Sequence, residues 1–501
     1  MKKIIYIFGM VFLVSIIILN ILFTTNLNNK EQITVHWNKI TYIIGAILLA
    51  ILLFFITKKI NDYLNDEKTV NSKKKRKIFL ITACIIYLIL NILWVSIIRT
   101  KVRSDQLYIC NLAQVFYKGD AQDVLSTTTY SGLSLAQYAQ CHPQQVTLAF
   151  IFSLCFRIFH TDCYTIVLRL LNIVCNCLIV FALYKINQQI SKQYQTNKVL
   201  LFTLILTFFP LVMLSNFIYG DIPSLALCLF TVYFMMKYTE TQKWKYAIIA
   251  SIFMMIAYMM RMNNMIFIIA TAMYLLLTMW KEIKKKQWKE NVFRFTLIIV
   301  FVIISIVPAK IVNSYWINKL GLEKNKTYPM TSYMLMAMEE GKRGEGWYNG
   351  NIANYALKNP EKAKEEYPEK IKERVMYLSK NLGYTSKFYT KKIASMWTEN
   401  TYSAIFNNIS KDYKFVEKLR MPLDFYQKAI LLIITICSLI VLIQNRKNLS
   451  LEVLFLITIF IGGFAFHILW EAKSRYIIPY IIVLMPVASI AIQKFTRKQI
   501  N

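Results

Sequence analysis

The chain has 501 residues, 56% of them hydrophobic, with only 13 Gly and 10 Pro. Its formal net charge of +32 sits in short Lys/Arg runs beside apolar blocks, not in a basic stripe interleaved with stacking aromatics. That distribution excludes a nucleic-acid binder and points instead to charge that orients helices against anionic lipid.

The apolar blocks run to about 17–22 residues, enough to cross a hydrocarbon layer of ~30 Å as helices. They lack the alternation of barrel strands, so the expected fold is an all-α polytopic membrane protein with about twelve transmembrane helices. In chain order, Met1-Lys2-Lys3 before an apolar run has the form of a signal peptide. The run ends in Phe23-Thr24-Thr25-Asn26 without a small-x-small cleavage site, so it reads as an uncleaved first span, 4–24. A second span, 40–57, and the basic run Lys73 to Lys77 complete an N-terminal unit, 1–77. The core, 78–313, carries spans at 78–98, 163–184, 198–216, 222–237, 246–261, 264–280 and 295–313, with a first outer loop at 99–144. Residues 314–427 hold 19 Lys/Arg against 13 Asp/Glu and are too long for a structureless loop. Stretches such as Pro360 to Tyr367 and Lys370 to Leu378 are patterned as amphipathic helices, giving a mainly helical extracellular region. Three C-terminal spans, 428–444, 450–469 and 476–493, fill 428–501.

Segment 145–159 decides the topology. As a full span it would place Lys284 to Lys286 and the later basic loops outside; as an interfacial helix it leaves every strongly basic short loop inside. The second choice predicts twelve spans, both termini cytoplasmic and the main soluble region extracellular, in a cell membrane. Arg157 near the end of that segment also suits an interfacial helix. No internal repeat is visible, which weighs against many transporters. None of the nine cysteines has CxxC spacing; no ligand spacing indicates a divalent metal, and the cofactor stays unknown. Cys110 and Cys141 share one outer loop and could pair.

Ionisable groups at membrane depth are costly and are functional candidates by default. Four places on the outer side stand out. Arg103-Ser104-Asp105-Gln106 follows the third span; it is either a solvated ion pair with Arg99 and Lys101 or, with Asp120, Asp123 and His142-Pro143-Gln144-Gln145 further along the loop, a polar cluster at the surface. In Tyr219-Gly220-Asp221-Ile222-Pro223, Asp221 is either a helix cap or a site residue. Arg261, with Asn263 and Asn264, is either a snorkelling cation or a ligand. The turn His467 to Tyr476, with Glu471, Lys473 and Arg475, holds more ionisable groups than a turn needs. Carboxylates and cations converging on one face suit a phosphate-bearing lipid: Arg and Lys stabilise a departing phosphate while a carboxylate orients or deprotonates an attacking hydroxyl.

These residues resemble the GT-C superfamily of polyprenyl-phosphate-sugar-dependent glycosyltransferases, which includes the protein mannosyltransferases and lipid A aminoarabinose transferases. The resemblance rests on the acid of Ser104-Asp105-Gln106, on His142-Pro143-Gln144-Gln145 opening a juxtamembrane helix, on Arg169-Leu170-Leu171-Asn172, and on Glu471…Ser474-Arg475-Tyr476…Pro479. It covers about 78–493. More narrowly, the Ser-Asp-Gln loop, the Pro-Gln pair and Gly346-Trp347-Tyr348-Asn349-Gly350 are similar to integral membrane proteins of Gram-positive bacteria. The chain departs from the pattern in its two spans before the core and in Gln106, where a second acid would make a metal pair. The resemblance implies Asp105 as catalytic base or acceptor-orienting acid and Arg475, Arg261 and Arg103 as ligands of the lipid phosphate. Asp221 and Glu471 are then secondary contacts, with Gln106, His142, Gln144 and Tyr476 lining the substrate. The implied partners are the bilayer, a polyprenyl-phosphate-sugar donor and a cell-envelope glycan, lipid or protein acceptor. Two other classes share some of these features: a flippase or exporter of lipid-linked saccharides, and a polysaccharide polymerase or ligase.

Overall fold

The structure, a computed structural model, describes residues 1–65, 72–119, 134–159, 164–283, 288–323, 326–410 and 413–490. Asp120, Asp123, Cys163 and the basic run Lys284 to Lys286 lie outside the described residues. The chain opens with α1 (Lys2–Leu22), a hairpin of β1 (Phe23–Leu27) and β2 (Ile33–Trp37), α2 (Ile40–Asn65) and α3 (Ser72–Ile97). There follow α4 (Asp105–Lys118), α5 (Leu135–Cys141), α6 (Pro143–Phe159) and α7 (Tyr164–Ile190). Next come α8 (Lys198–Leu206), α9 (Phe209–Leu214), α10 (Asp221–Thr241), α11 (Trp244–Met260), α12 (Met265–Ile283) and α13 (Trp288–Lys319).

Among the described residues nine helices are long and apolar enough to cross a membrane, and the fold is the all-α, multi-pass one expected. The C-terminal part supplies two of them, α20 (Arg420–Gln444) and α21 (Leu451–Leu469). Trp244–Met260 and Ser474–Ile490 are shorter apolar helices. Isoleucines and leucines of α2 and α3, such as Leu48, Ile81 and Ile85, remain exposed, as side chains facing lipid tails do.

Two expected spans are not continuous helices. Segment 198–216 divides into α8 and α9, because Pro210 cannot donate to the helical ladder. At the break the carbonyl of Thr207 accepts from Gln427 Nε2 at 2.8 Å. The last span begins as a 3-10 turn, Ser474–Ile477.

Segment 143–159 is a single helix, anchored at both ends. Gln145, near its start, touches Tyr219 just ahead of α10. At its finish Arg157 donates to Phe116 O, in the last turn of α4, at 3.0 Å, and early in α7 Arg169 is bonded to Thr100 O. Cys110 and Cys141 are buried free thiols, so the disulfide that a shared loop permitted does not form. Cys110 faces the α4 core and Cys141 the Lys326 carbonyl.

Beyond α13 comes a mainly helical cap. It contains α14 (Thr331–Met338), a short ribbon of β3 (Glu340–Gly341) and β4 (Gly344–Glu345), α15 (Gly350–Lys358), α16 (Pro360–Lys380), α17 (Leu382–Trp397), α18 (Ala404–Asn408) and α19 (Phe415–Lys418). A small apolar core of its own, including Tyr328, Leu335, Met336, Ala353, Ala356 and Tyr367, holds it together.

Candidate active site

The site is assembled from helix ends. Asp105 is the first residue of α4, and Ser104 before it has φ +51, a conformation that non-glycine residues adopt mainly where the surroundings enforce it. Gln106 accepts from Ile218 N–H at 2.9 Å, which pins the head of α4 to the turn before α10. Asn172 of α7 holds the same turn, donating to Ser215 O at 3.0 Å and Phe217 O at 3.1 Å. The Arg169…Asn172 motif therefore acts as a clasp between two loops. Gly220, at φ +70, lets the turn approach closely: a Cβ there would lie 2.9 Å from Leu148 Cδ1 and 3.3 Å from Met260 O.

Tyr219 is the hub. Its hydroxyl accepts from Gln145 Nε2 at 2.5 Å and donates to Asp105 Oδ2 at 3.3 Å. Its ring lies beneath two guanidinium groups, Arg261 at 4.8 Å and Arg475 at 4.9 Å, each a cation–π contact. Asp221 bridges the same arginines, with Oδ1 3.1 Å from Arg261 Nε and Oδ2 3.8 Å from Arg475 Nε. The longer of these is too far for a hydrogen bond, and both Asp221 Oδ2 and Arg475 Nε are buried without a hydrogen-bond partner. They border a narrow crevice whose walls include Leu211, Leu214, Leu225, Pro479, Tyr476 and Tyr480.

A second polar group borders the first. Glu471 is buried and its carboxyl pKa is raised by burial, against the pull of Lys473. Burial also works against Glu31, yet Lys473 and Arg343 hold its pKa below the usual carboxylate range. Glu399 is pushed up to about 7 by burial, and it accepts from Ser474 Oγ at 2.6 Å and Ser403 N at 2.7 Å. It thus anchors the residue next to Arg475. A ladder of rings, Tyr108–Tyr138–His142–Tyr328–Tyr333–Trp470, runs from α4 to the residue before Glu471. Burial lowers the pKa of His142, with Asp105 opposing.

Of the residues expected from sequence, Asp105, Gln106, His142, Asp221, Arg261, Glu471, Arg475 and Tyr476 come together here. Two do not. Arg103 is exposed, donates to Phe406 O at 2.7 Å and covers that ring, turned toward the cap. It is Gln145, not Gln144, that bonds to Tyr219, since one helical step turns a side chain by about 100°. Tyr219, two residues before Asp221, was not among the residues expected from sequence, and Glu31 and Arg343 carry no local signal. Among the described residues no group of three or more His, Cys, Asp or Glu could hold a metal.

A family model described as dolichyl-phosphate-mannose-protein mannosyltransferase matches residues 142–307. That stretch starts at His142 and contains the Arg169 clasp, Tyr219, Asp221 and Arg261. A crystal structure of ArnT from Cupriavidus metallidurans bound to undecaprenyl phosphate is similar at 13% identity and TM-score 0.44, covering 84% of this chain and 62% of that one. The Archaeoglobus fulgidus oligosaccharyltransferase in the apo form is similar at 13% identity and TM-score 0.44, covering 84% and 51%. The chain thus spans less than two thirds of the length of either protein. No curated protein matches.

Proposed function

We propose that the chain is a GT-C-type glycosyltransferase of the cell membrane that moves a sugar from a polyprenyl-phosphate-linked donor to a cell-envelope acceptor, on the outer face. The observation that carries the reading is the unpartnered Nε–H of Arg475, buried beside Arg261 at the polar end of a leucine-lined crevice. Such a crevice suits a group that is anionic at one end and apolar at the other. The family model on 142–307, named for a polyprenyl-phosphate-linked sugar, supports the same class.

The chemistry follows from the placement. A phosphate oxygen takes the open Nε–H of Arg475, and the guanidinium of Arg261, already oriented by Asp221, adds charge beside it. Asp105 is exposed at the head of α4, where an acceptor hydroxyl can reach it. As the acceptor oxygen bonds to the sugar's anomeric carbon, its proton passes to Asp105. The anomeric carbon–oxygen bond to phosphate breaks, and the polyprenyl phosphate leaves with the electron pair, stabilised by the two arginines. Tyr219 links the halves, its hydroxyl on Asp105 and its ring under the cations. The cap, which meets the ring ladder through Tyr328 and Tyr333, would help choose the acceptor.

One observation bears on the exporter reading: the α8–α9 span is interrupted, as transporter helices often are. The buried polar groups next to α9 are uncharged, however: Asn91, Asn176 and Ser215 bond to one another. The charged groups crowd one end, which favours transfer.

The test uses the full chain in lipid nanodiscs with undecaprenyl phosphate as the probe. Arg475→Ala should weaken binding by roughly tenfold or more, in line with about 1.5–3 kcal/mol for a charge-assisted hydrogen bond. Asp105→Asn should leave binding intact and abolish transfer. Unchanged affinity in the first variant, or full activity in the second, removes that residue from its role. Comparing envelope glycans of cells with and without the gene then identifies the sugar: loss of one decoration with the backbone polymer intact marks a transferase.

A further inference from the structure

The β1–β2 hairpin, which precedes the core and the stretch matched by the family model, reaches into the site. It is fastened to the cap by Ile33 N–H to Arg343 O at 2.9 Å and Thr25 N–H to Thr398 O at 3.2 Å. At its turn Glu31 has φ +58, a left-handed conformation that Gly or Asn holds at less cost. Its side chain is nonetheless buried. The carboxylate is shared between two cations from separate elements: Oε1 lies 2.7 Å from Lys473 Nζ, and Oε2 pairs with Arg343. Buried charges persist when paired, so the three side chains act as a unit. Lys473 is two residues from Arg475 and within electrostatic reach of it, as is Glu31. Backbone bonds already dock the hairpin, and a left-handed turn is closed more readily without a glutamate. What the acid adds is cancellation of positive charge beside the phosphate site.

We propose that Glu31 is a positioning residue of the phosphate site: by closing Lys473 and Arg343 into ion pairs, it sets the net charge that a lipid phosphate meets at Arg261 and Arg475. The inference rests on the function proposed above. A loose lysine would bind the phosphate equally well before and after transfer, holding the departing lipid without lowering the barrier. The two N-terminal spans, which carry the hairpin, are on this view part of the catalytic unit.

The experiment measures binding of undecaprenyl phosphate to the full chain in nanodiscs at low ionic strength, where unpaired charge is least screened. Glu31→Gln should tighten binding by roughly five- to tenfold and Lys473→Gln should weaken it by a similar factor, the order expected for one charge at such range. The double variant restores the wild-type net charge and should return to near the wild-type affinity. A purely structural pair would lower the thermal midpoint in each variant while leaving the affinity of folded protein unmoved, or shift it in one direction throughout; either result overturns the proposal. Where Glu31→Gln does not fold, Lys473→Gln against the double variant decides, and equal affinities overturn it. Arg475→Ala separates the two levels. If it loses affinity while the Glu31 and Lys473 variants do not move, only the role of Glu31 falls; if wild-type protein does not bind the probe, the phosphate-site reading falls and this inference with it.

Discussion

Tyr219 shows how one side chain couples two chemical tasks. Its ring presses on both arginines, and its hydroxyl joins Asp105 to Gln145, which lie 114 and 74 residues away in sequence. Tyr219→Phe keeps the ring and removes only the hydroxyl. Undecaprenyl phosphate affinity should therefore change little, while turnover falls roughly tenfold, about 1.4 kcal/mol of transition-state stabilisation. An equal loss in both would mean that the ring, not the hydroxyl, had been disturbed. Asp105 and Asp221 were legible in the sequence because a carboxylate at the edge of an apolar block is expensive. Tyr219 was not, since a tyrosine there needs no explanation; its partners are what give it a role.

At the scale of elements, α17 is the strut between cap and bundle. Lys392, fully buried, donates to Ala337 O at 2.8 Å in α14, and to Ile468 O at 2.7 Å and Trp470 O at 3.0 Å at the end of α21. Burial draws its pKa down to about 7, while carbonyls at a helix C-terminus favour the cation. Gly346 makes room for it: at φ +72, a Cβ would lie 2.6 Å from Lys392 Cδ and 2.9 Å from Ala337 O. Gly346→Ala should thus unseat the lysine and lower the thermal midpoint of the purified protein, by an amount corresponding to at least ~2 kcal/mol from left-handed strain and orphaned carbonyls. A variant as stable as wild type would show that the strut bears no load. Amphipathic patterning exposed α16 in advance. The hairpin escaped notice, although Ile33-Thr34-Val35-His36-Trp37 is rich in strand-forming residues, because an isolated two-stranded ribbon is marginal and this one stands by docking on the cap.

For the whole molecule, the charge rule predicts one arrangement, with the basic short loops inside and the cap outside. The orientation in the cell is the matter to measure. Cysteine at exposed Lys362 of α16 should react on intact cells with a membrane-impermeant thiol reagent, whereas cysteine at exposed Lys447, between α20 and α21, should react only after lysis. The opposite pattern would place the cap and the candidate site on the cytoplasmic side.

What the sequence determined by itself was the class of solvent each segment meets. Runs of apolar residues, basic short loops and costly carboxylates at helix ends are local properties, and they marked most of the long apolar helices, the α6 helix and most of the charged residues that gather at the candidate site. What only tertiary structure decided was which of those groups face one another. Arg103 turned to the cap, Gln145 replaced Gln144, a proline divided α8 from α9, and Glu31 arrived from a hairpin hundreds of residues away from Arg343 and Lys473. Pairings of that kind depend on packing and long-range burial of charge, which no short stretch of sequence encodes.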